Sequence, residues 1–401
     1  MNGASAPRDR IPSGVWALGL VSLLMDLSSE MIHALLPVYM LTMLGASALA
    51  VGIIEGIAEA TASIVKVFSG ALSDRLGKRK LLALVGYGLA ALTRPIFPLA
   101  PSIDWLVAAR FIDRVGKGVR GAPRDALVAD ISPPHLRGAS FGLRQSLDAV
   151  GAFAGPLLAI GLMWATADDI PAVFWMATVP AVLCVAVLLL AVKEPPRPEG
   201  LREVRSPLRR DELARLPAAY WWVVAVAAVF TLARFSEAFL ILRAQEIGLP
   251  LWLAPAPLVL MALAYSLSAY PAGVLADRMD KVGLLAFGLV LLVAADLALA
   301  FAPGLPGAAA GVVLWGLHMG FTQGLFAALV AEASPAELRG TAFGVFNLVS
   351  GVALLLASVV AGALWTTIGS QWTFIAGAAF TALTLGGLAL IRTRFATSPS
   401  A

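Results

Sequence analysis

Between Arg110 and Asp125 the chain reads Arg-Phe-Ile-Asp-Arg-Val-Gly-Lys-Gly-Val-Arg-Gly-Ala-Pro-Arg-Asp. The basic residues Arg110, Arg114, Lys117, Arg120 and Arg124 interrupt a run, Trp105 to Val128, that otherwise reads as a membrane-spanning helix. A charge near the bilayer centre costs from roughly 3 to over 10 kcal/mol, so such side chains persist only where they face a bundle interior or a watery cavity and find partners. Helical spacing sets Arg110, Arg114, Lys117 and Arg124 along one broad face, with Asp113 and Arg120 flanking it. Asp113 stands four residues before Lys117, the spacing of a helical ion pair. The chemistry of such a stretch is the handling of a polar solute, or of the charges that gate its path, inside a membrane.

Other spans supply possible partners: Asp26, Glu30 and His33 with Ser28 and Ser29, Glu55, Glu59 and Lys66, and Arg144, Gln145 and Asp148. The second half of the chain offers Arg234, Glu237, Arg243, Gln245, His318 and Gln323. Each has two readings, contact with a solute or membership of a structural ion network. Asp26, Glu30 and Glu237 sit in apolar helices, where acids serve as proton relays, and are the candidate proton carriers. Arg120, Arg124 and Asp125 lie towards the cytoplasmic end and are expected to gate. His33 and His318 read as polar wall residues, since no Cys-x-x-Cys or clustered-His pattern indicates a metal. No glycine-rich phosphate loop follows a strand, so ATP is not the expected energy source and an ion gradient is. No cofactor is expected. Neither a nucleophile–base pair nor a metal triad indicates an intramembrane enzyme.

The elements that position these residues follow from composition. The 401 residues are 59% hydrophobic and 13% charged, about half the charge of a soluble domain. Mean hydropathy is +0.86. A net charge of +4 on so apolar a chain does not indicate nucleic acid as a partner, despite a pI near 9.4. The single cysteine, Cys184, leaves no disulfide within the chain. The polar N-terminus, Met1 to Arg10, lacks the apolar core of a signal peptide.

Apolar runs of spanning length predict an all-helical integral membrane protein with twelve spans. Their approximate limits are 14–40, 48–72, 81–100, 104–129, 139–165, 171–193, 218–243, 251–276, 283–303, 307–332, 340–366 and 371–392. Arg8, Arg10, Arg75, Lys78, Arg79, Lys80, Arg137, Arg278, Lys281, Arg339, Arg392 and Arg394 fall in one set of loops. The opposite loops hold Asp104, Asp168, Asp169 and Glu246, so both termini are expected to be cytoplasmic. A charged, proline-rich stretch divides the chain into a bundle at 1–192, a cytoplasmic linker at 193–217 and a bundle at 218–401. A short amphipathic helix near Arg209 to Leu216 is an alternative reading of part of that linker.

The halves repeat each other. Ala129-Asp-Ile-Ser-Pro-Pro-His-Leu-Arg-Gly-Ala-Ser-Phe-Gly142 matches Ala331-Glu-Ala-Ser-Pro-Ala-Glu-Leu-Arg-Gly-Thr-Ala-Phe-Gly344, and Gly70-Ala-Leu-Ser-Asp-Arg75 matches Gly273-Val-Leu-Ala-Asp-Arg278, at nearly one offset. Parallel repeats of this kind place a substrate site between the halves near the midplane.

Gly70-Ala-Leu-Ser-Asp-Arg-Leu-Gly-Lys-Arg-Lys80 resembles the loop between spans two and three of the major facilitator superfamily, Gly-x-x-x-Asp-Arg-x-Gly-Arg-Arg, with Lys78 in place of one arginine. Its second copy, ending Asp277-Arg-Met-Asp-Lys281, has Asp280 where the later glycine would stand. Arg110 stands where the superfamily's fourth span usually carries an arginine, but Asp113-Arg114 replaces the Gln-Gly that follows there. Gly151-Ala-Phe-Ala-Gly-Pro-Leu-Leu-Ala159 resembles the Gly-x-x-x-Gly-Pro-x-x-Gly signature of proton-coupled exporters, with Ala159 at the last glycine. The run Asp-Arg-x-Gly-Lys-Gly-x-Arg-x-Ala-Pro-Arg-Asp-Ala-Leu is similar to a bacterial subgroup of that superfamily.

The resemblance implies a two-bundle fold whose spans one, four, seven and ten line a central cavity. It implies a conformational clasp at Gly70, Asp74, Arg75, Gly77, Lys78 and Arg79, with Asp277 and Arg278 as its second copy, where arginines grip helix-end carbonyls and Asp74 accepts from a helix N-terminus. Ordinary loop charge is the alternative there. The candidate cavity set is Asp26, Glu30, His33, Arg110, Asp113, Arg114, Lys117, Arg144, Asp148, Arg234, Glu237 and Gln323. Gly151, Gly155 and Pro156 are the exporter-type helix contact, a generic tight contact being the alternative. The expected function is secondary active transport by alternating access, as proton-coupled efflux of a small polar or amphipathic solute. The basic fourth span suggests an anionic one, with Arg114 as a substrate contact. Uptake or facilitated diffusion through the same fold is the alternative, and a lipid-moving protein or an intramembrane enzyme stands further off. The expected setting is a monomer in the bacterial inner membrane, its partners a small-molecule substrate, protons and lipid.

Overall fold

The architecture is that of a computed structural model, which describes residues 10–76, 78–195, 213–276, 280–301, 303–335 and 338–396. These residues form helices joined by short turns, with no strand among them. In chain order the helices are α1 (Ser13–His33), α2 (Leu36–Thr42), α3 (Ala48–Leu76), α4 (Arg79–Thr93), α5 (Ile96–Leu99), α6 (Ile103–Ile131), α7 (Arg137–Ala165) and α8 (Ile170–Ala191). The second half contributes α9 (Ala218–Ala233), α10 (Ala238–Glu246), α11 (Ala256–Ala276), α12 (Lys281–Phe301), α13 (Leu305–Glu332), α14 (Arg339–Ile368) and α15 (Ser370–Ala396).

Among the described residues, eleven spans are long and apolar enough to cross a membrane, some built from two helices in line. The 29-residue α6 is as long but carries too much charge to count among them. Helices satisfy their own backbone groups, which is what hydrocarbon demands. Leu92, Val179, Leu190 and Leu267 point outward and are largely exposed, as suits a chain solvated by lipid. The linker reading falls mostly on residues 196–212, outside the described residues.

Three expected spans are broken rather than continuous. The first yields at Ala34–Leu35, next to Pro37; the third at Arg94–Pro95, where proline removes a backbone donor. The seventh yields between Arg234 and Glu237 without a proline. The first and seventh breaks stand at matching places in the two repeats, and the charged residues cluster around both.

Glycines set the closest helix contacts. On α7, a Cβ added at Gly155 would lie 2.7 Å from Glu30 Cβ and 2.9 Å from the Leu27 carbonyl oxygen of α1. One turn earlier, Gly151 sits 3.2 Å by the same measure from Asp26 Cβ. Between the halves, α3 packs along α14, where a Cβ at Gly56 would meet the Leu355 carbonyl oxygen at 3.0 Å and one at Gly362 the Ala48 carbonyl oxygen at 2.6 Å. The Leu49 amide donates to Thr366 Oγ1 at 3.1 Å. α7 meets α11 and the turn Leu251–Leu253, and α10 meets α2 and α3. These contacts gather at the end of the bundle away from the chain termini. Towards the terminus-bearing end of α3, an added Cβ at Gly70 would touch only Ala122 of α6, in the same half.

Candidate functional site

A cavity of about 460 Å³ lies between the halves, within the usual size range of small-molecule sites. Its two walls differ. Glu30 and His33 of α1, Glu55, Glu59 and Ser63 of α3 and Lys117 of α6 make one wall, wholly polar. The other wall carries Phe230, Phe235, Phe326 and Phe346, with Thr231, Gln323, Asn347 and Ser350 between them and Arg234 and Glu237 at the break in the seventh span. The Phe230 and Phe326 rings stack at 4.8 Å, and the Arg234 guanidinium lies 5.7 Å from the Phe230 ring centre.

Behind the polar wall runs an ion network. Arg110 donates to Glu55 at 2.7 Å, and Arg114 to Glu59 at 2.8 Å. Asp113 pairs with Arg94 at 3.0 Å and faces Arg114 at 3.4 Å. Arg94 also donates to Ser29 Oγ at 2.8 Å. Arg94, Arg110, Asp113, Arg114 and Glu55 are almost wholly buried. At the cavity surface His33 Nδ1 lies 3.2 Å from Glu30 and its Nε2 3.7 Å from Glu55. Removing one member of such a buried pair strands the other, at a cost of about 3–5 kcal/mol. Counting outward from the cavity, five carboxylates (Glu30, Glu55, Glu59, Asp113, Glu237) face five bases (Arg94, Arg110, Arg114, Lys117, Arg234).

A second cluster lies off the cavity, among α1, α6 and α7. Arg124 contacts Asp125 at 3.1 Å, Asp148 at 3.6 Å and Ser22 Oγ at 3.2 Å. Arg144 reaches Asp148 at 3.4 Å and Gln145 at 2.6 Å, and Asp26 faces Asp148. Arg120 lies over the Tyr87 ring, 4.9 Å from its centre.

The candidate cavity residues therefore separate into three groups. Glu30, His33, Lys117, Arg234, Glu237 and Gln323 line the cavity. Arg110, Asp113 and Arg114 stand behind its wall, engaged by acids of α3 and by Arg94. Asp26, Arg144 and Asp148 belong to the second cluster. His318 is fully buried behind Phe230, with Nδ1 3.1 Å from the Gly288 carbonyl oxygen. Arg243 binds the Leu299 and Ala300 carbonyls at the end of α12 and pairs with Glu246, away from the cavity. Among the described residues no group of His, Cys, Asp and Glu is placed to hold a metal.

Family membership is decided at the level of the whole chain. The sequence profile of the Major Facilitator Superfamily matches residues 18–358 and 258–401. The chain belongs to the major facilitator superfamily. An MFS-type transporter of Methanocaldococcus jannaschii is 31% identical over 375 residues, 92% of each chain. The multidrug resistance protein MdtH of Photorhabdus laumondii is 27% identical over 264 residues, 56% of this chain and 64% of that one. Among solved structures, a bacterial homologue of the human lysosomal transporter Spinster, inward-facing and unoccupied, superposes with a TM-score of 0.77 at 16% identity, covering 98% of this chain and 100% of that one. Family and fold are those of secondary transporters, not enzymes, and the protein is a multi-pass integral membrane protein.

Within this superfamily member, the first copy of the loop motif is built around Arg79. Its guanidinium donates to the Ala126 carbonyl at 3.0 Å and pairs with Asp130, both near the end of α6. Its backbone amide donates to Glu194. Lys80 donates to the Leu189 carbonyl near the end of α8 at 2.9 Å. Arg75 lies in the last turn of α3, and Lys78 immediately precedes α4. Gly77, Asp277 and Arg278 lie outside the described residues, as does the Asp74 side chain. Lys281 pairs with Glu332; Lys281 opens α12 as Arg79 opens α4, and Glu332 is the repeat counterpart of Asp130.

Sequence reasoning missed Arg94, Asp130, Glu194 and the aromatic wall. Arg94 had a signal, a lone arginine ahead of a proline at the end of an apolar run. The phenylalanines had none, because aromatic residues in spanning helices are equally at home against lipid.

Proposed function

We propose that this protein is a proton-coupled exporter of a small amphipathic solute, working by rocking of the halves 1–192 and 218–401 about the linker 193–217. The reading rests chiefly on one observation: ionisable groups from both halves converge on a single cavity at matching breaks in the first and seventh spans. Parallel-repeat transporters bind substrate at such a junction. In the present state the halves touch at the end away from the termini, through α3 and α14, so the cavity is assigned to the terminus-bearing face. With the termini cytoplasmic, that is the loading side of an exporter in the bacterial inner membrane. Export is further supported by the Gly151–Gly155–Pro156 seat of α7 on α1 and by the name of the multidrug resistance relative. The Glu30–His33 pair and Glu237 are the proton carriers of this scheme, because they face the cavity and each other's half.

Alternating access is tested without knowing the solute. In a Cys184→Ser background, a cysteine at Ser350 should react with a membrane-impermeant maleimide from either face of the membrane. Cross-linking cysteines placed at Leu49 and Thr366 should confine that reaction to the terminus-bearing face. Labelling from one face alone in the protein without the cross-link would overturn the reading.

A further inference from the structure

The basic fourth span, taken by itself, points to an anionic substrate, but placement within the site reverses that implication. The five-against-five balance of charges does not leave the cavity indifferent to a ligand, because the members are unequally placed. Arg94, Arg110 and Arg114 are buried and hold carboxylates from behind. Glu30 and Glu59 keep 26% and 32% of their side chains exposed, so on this wall a ligand meets carboxylates before arginines. The exposed base there is Lys117, whose charge acts on both Glu30 and Glu59. Opposite, Arg234 rides on the face of Phe230 beside Glu237. A ring face attracts a cation and stacked rings offer an apolar bed. Each place where a cation would be held thus carries a tethered cation of the protein's own.

We propose that the cavity takes an organic cation, whose charged group is held by Glu30 and Glu59 in competition with the Lys117 ammonium on the same wall and whose apolar body lies on the Phe230–Phe326 wall. This rests on the transport reading and names the substrate class of the same site. Lys117 is the tethered competitor. A lysine stem is flexible and its ammonium compact, so it can withdraw where the forked, fixed arginines behind the wall cannot. An anion would instead have to sit against Glu30 and Glu59 and be held by Lys117 directly. The two cases give opposite signs for the loss of that lysine.

The test uses tetraphenylphosphonium and tetraphenylborate, which share size and apolarity and differ in sign. Equilibrium dialysis against the purified full-length protein in detergent should show the cation bound at least about tenfold tighter than the anion. Lys117→Met should tighten the cation by roughly threefold or more, and Glu30→Gln should weaken it by about tenfold. Tighter binding of the borate, or weaker phosphonium binding in Lys117→Met, would overturn the proposal. Saturable binding of neither ion would overturn it too, while leaving alternating access to stand or fall by the maleimide labelling. If a variant does not fold, the comparison of the two ions on the unmodified protein still decides.

Discussion

Arg94 illustrates how a buried charge is made tolerable. It is fully buried, yet Asp113 and Ser29 meet it at 3.0 and 2.8 Å. Replacing it alone leaves Asp113 short of one partner, so Arg94→Met should lose about 3–5 kcal/mol. The double variant Arg94→Met, Asp113→Asn should recover part of that loss. Thermal unfolding in detergent, followed by size-exclusion profiles, reads both; a double variant no more stable than the single would break the account. Glu30 and Asp26 separate in the same way. Glu30→Gln should abolish substrate-driven proton movement in proteoliposomes loaded with a pH dye, whereas Asp26→Asn, placed in the second cluster, should keep cation binding. Residue types were legible from sequence, because a charge in an apolar run announces itself. Which side of the wall each would occupy was not. Helical spacing put Arg110, Arg114 and Lys117 on one face, but Glu55 and Glu59 arrive from α3 and intercept only the first two. That interception is a contact between helices far apart in sequence.

At the scale of the element, α7 and α1 meet through Gly151 and Gly155 with no room for a side chain. Gly155→Ala would push against Glu30 Cβ and the Leu27 carbonyl. Overpacking of this kind costs about 1–3 kcal/mol, and here it would also shift the α1 face that lines the cavity. Weakened cation binding by a correctly folded Gly155→Ala protein is the expected result, and unchanged binding would count against the seat. The Arg79–Asp130 pair ties the start of α4 to the end of α6, and Lys281–Glu332 repeats the tie in the second half. Exposed pairs are worth only about 0–1 kcal/mol for stability, so Asp130→Asn should leave unfolding nearly unchanged. Its effect should fall on the balance between conformations, read as a changed yield of the Leu49–Thr366 cysteine cross-link; an unaltered yield would reduce the pair to loop charge. The tie itself was not read from the sequence, although the alignment of Ala129-Asp130 with Ala331-Glu332 in the repeat accounts for an acid at the same place in both halves. The breaks at Ala34–Leu35 and Arg234–Glu237 were not legible, since the hydropathy of the run continues across them and the second contains no proline.

At the scale of the whole molecule, hydropathy marked an all-helical membrane chain, because lipid permits few solutions to a chain this apolar, and the repeat together with the resemblance to the superfamily supplied the arrangement of its spans. The aromatic wall became visible only once α9, α13 and α14 were brought around one space. The charge balance has a further consequence. Around the cavity the first half carries four acids (Glu30, Glu55, Glu59, Asp113) against four bases (Arg94, Arg110, Arg114, Lys117), and the second carries Glu237 against Arg234. With His33 neutral, the charges each half brings to the cavity balance, so at this site voltage would act on the charge of the cargo, at about 2.3 kcal/mol per elementary charge per 100 mV. One proton exchanged for one monovalent cation would be electrically silent, and two would draw a current that a capacitive electrode can record.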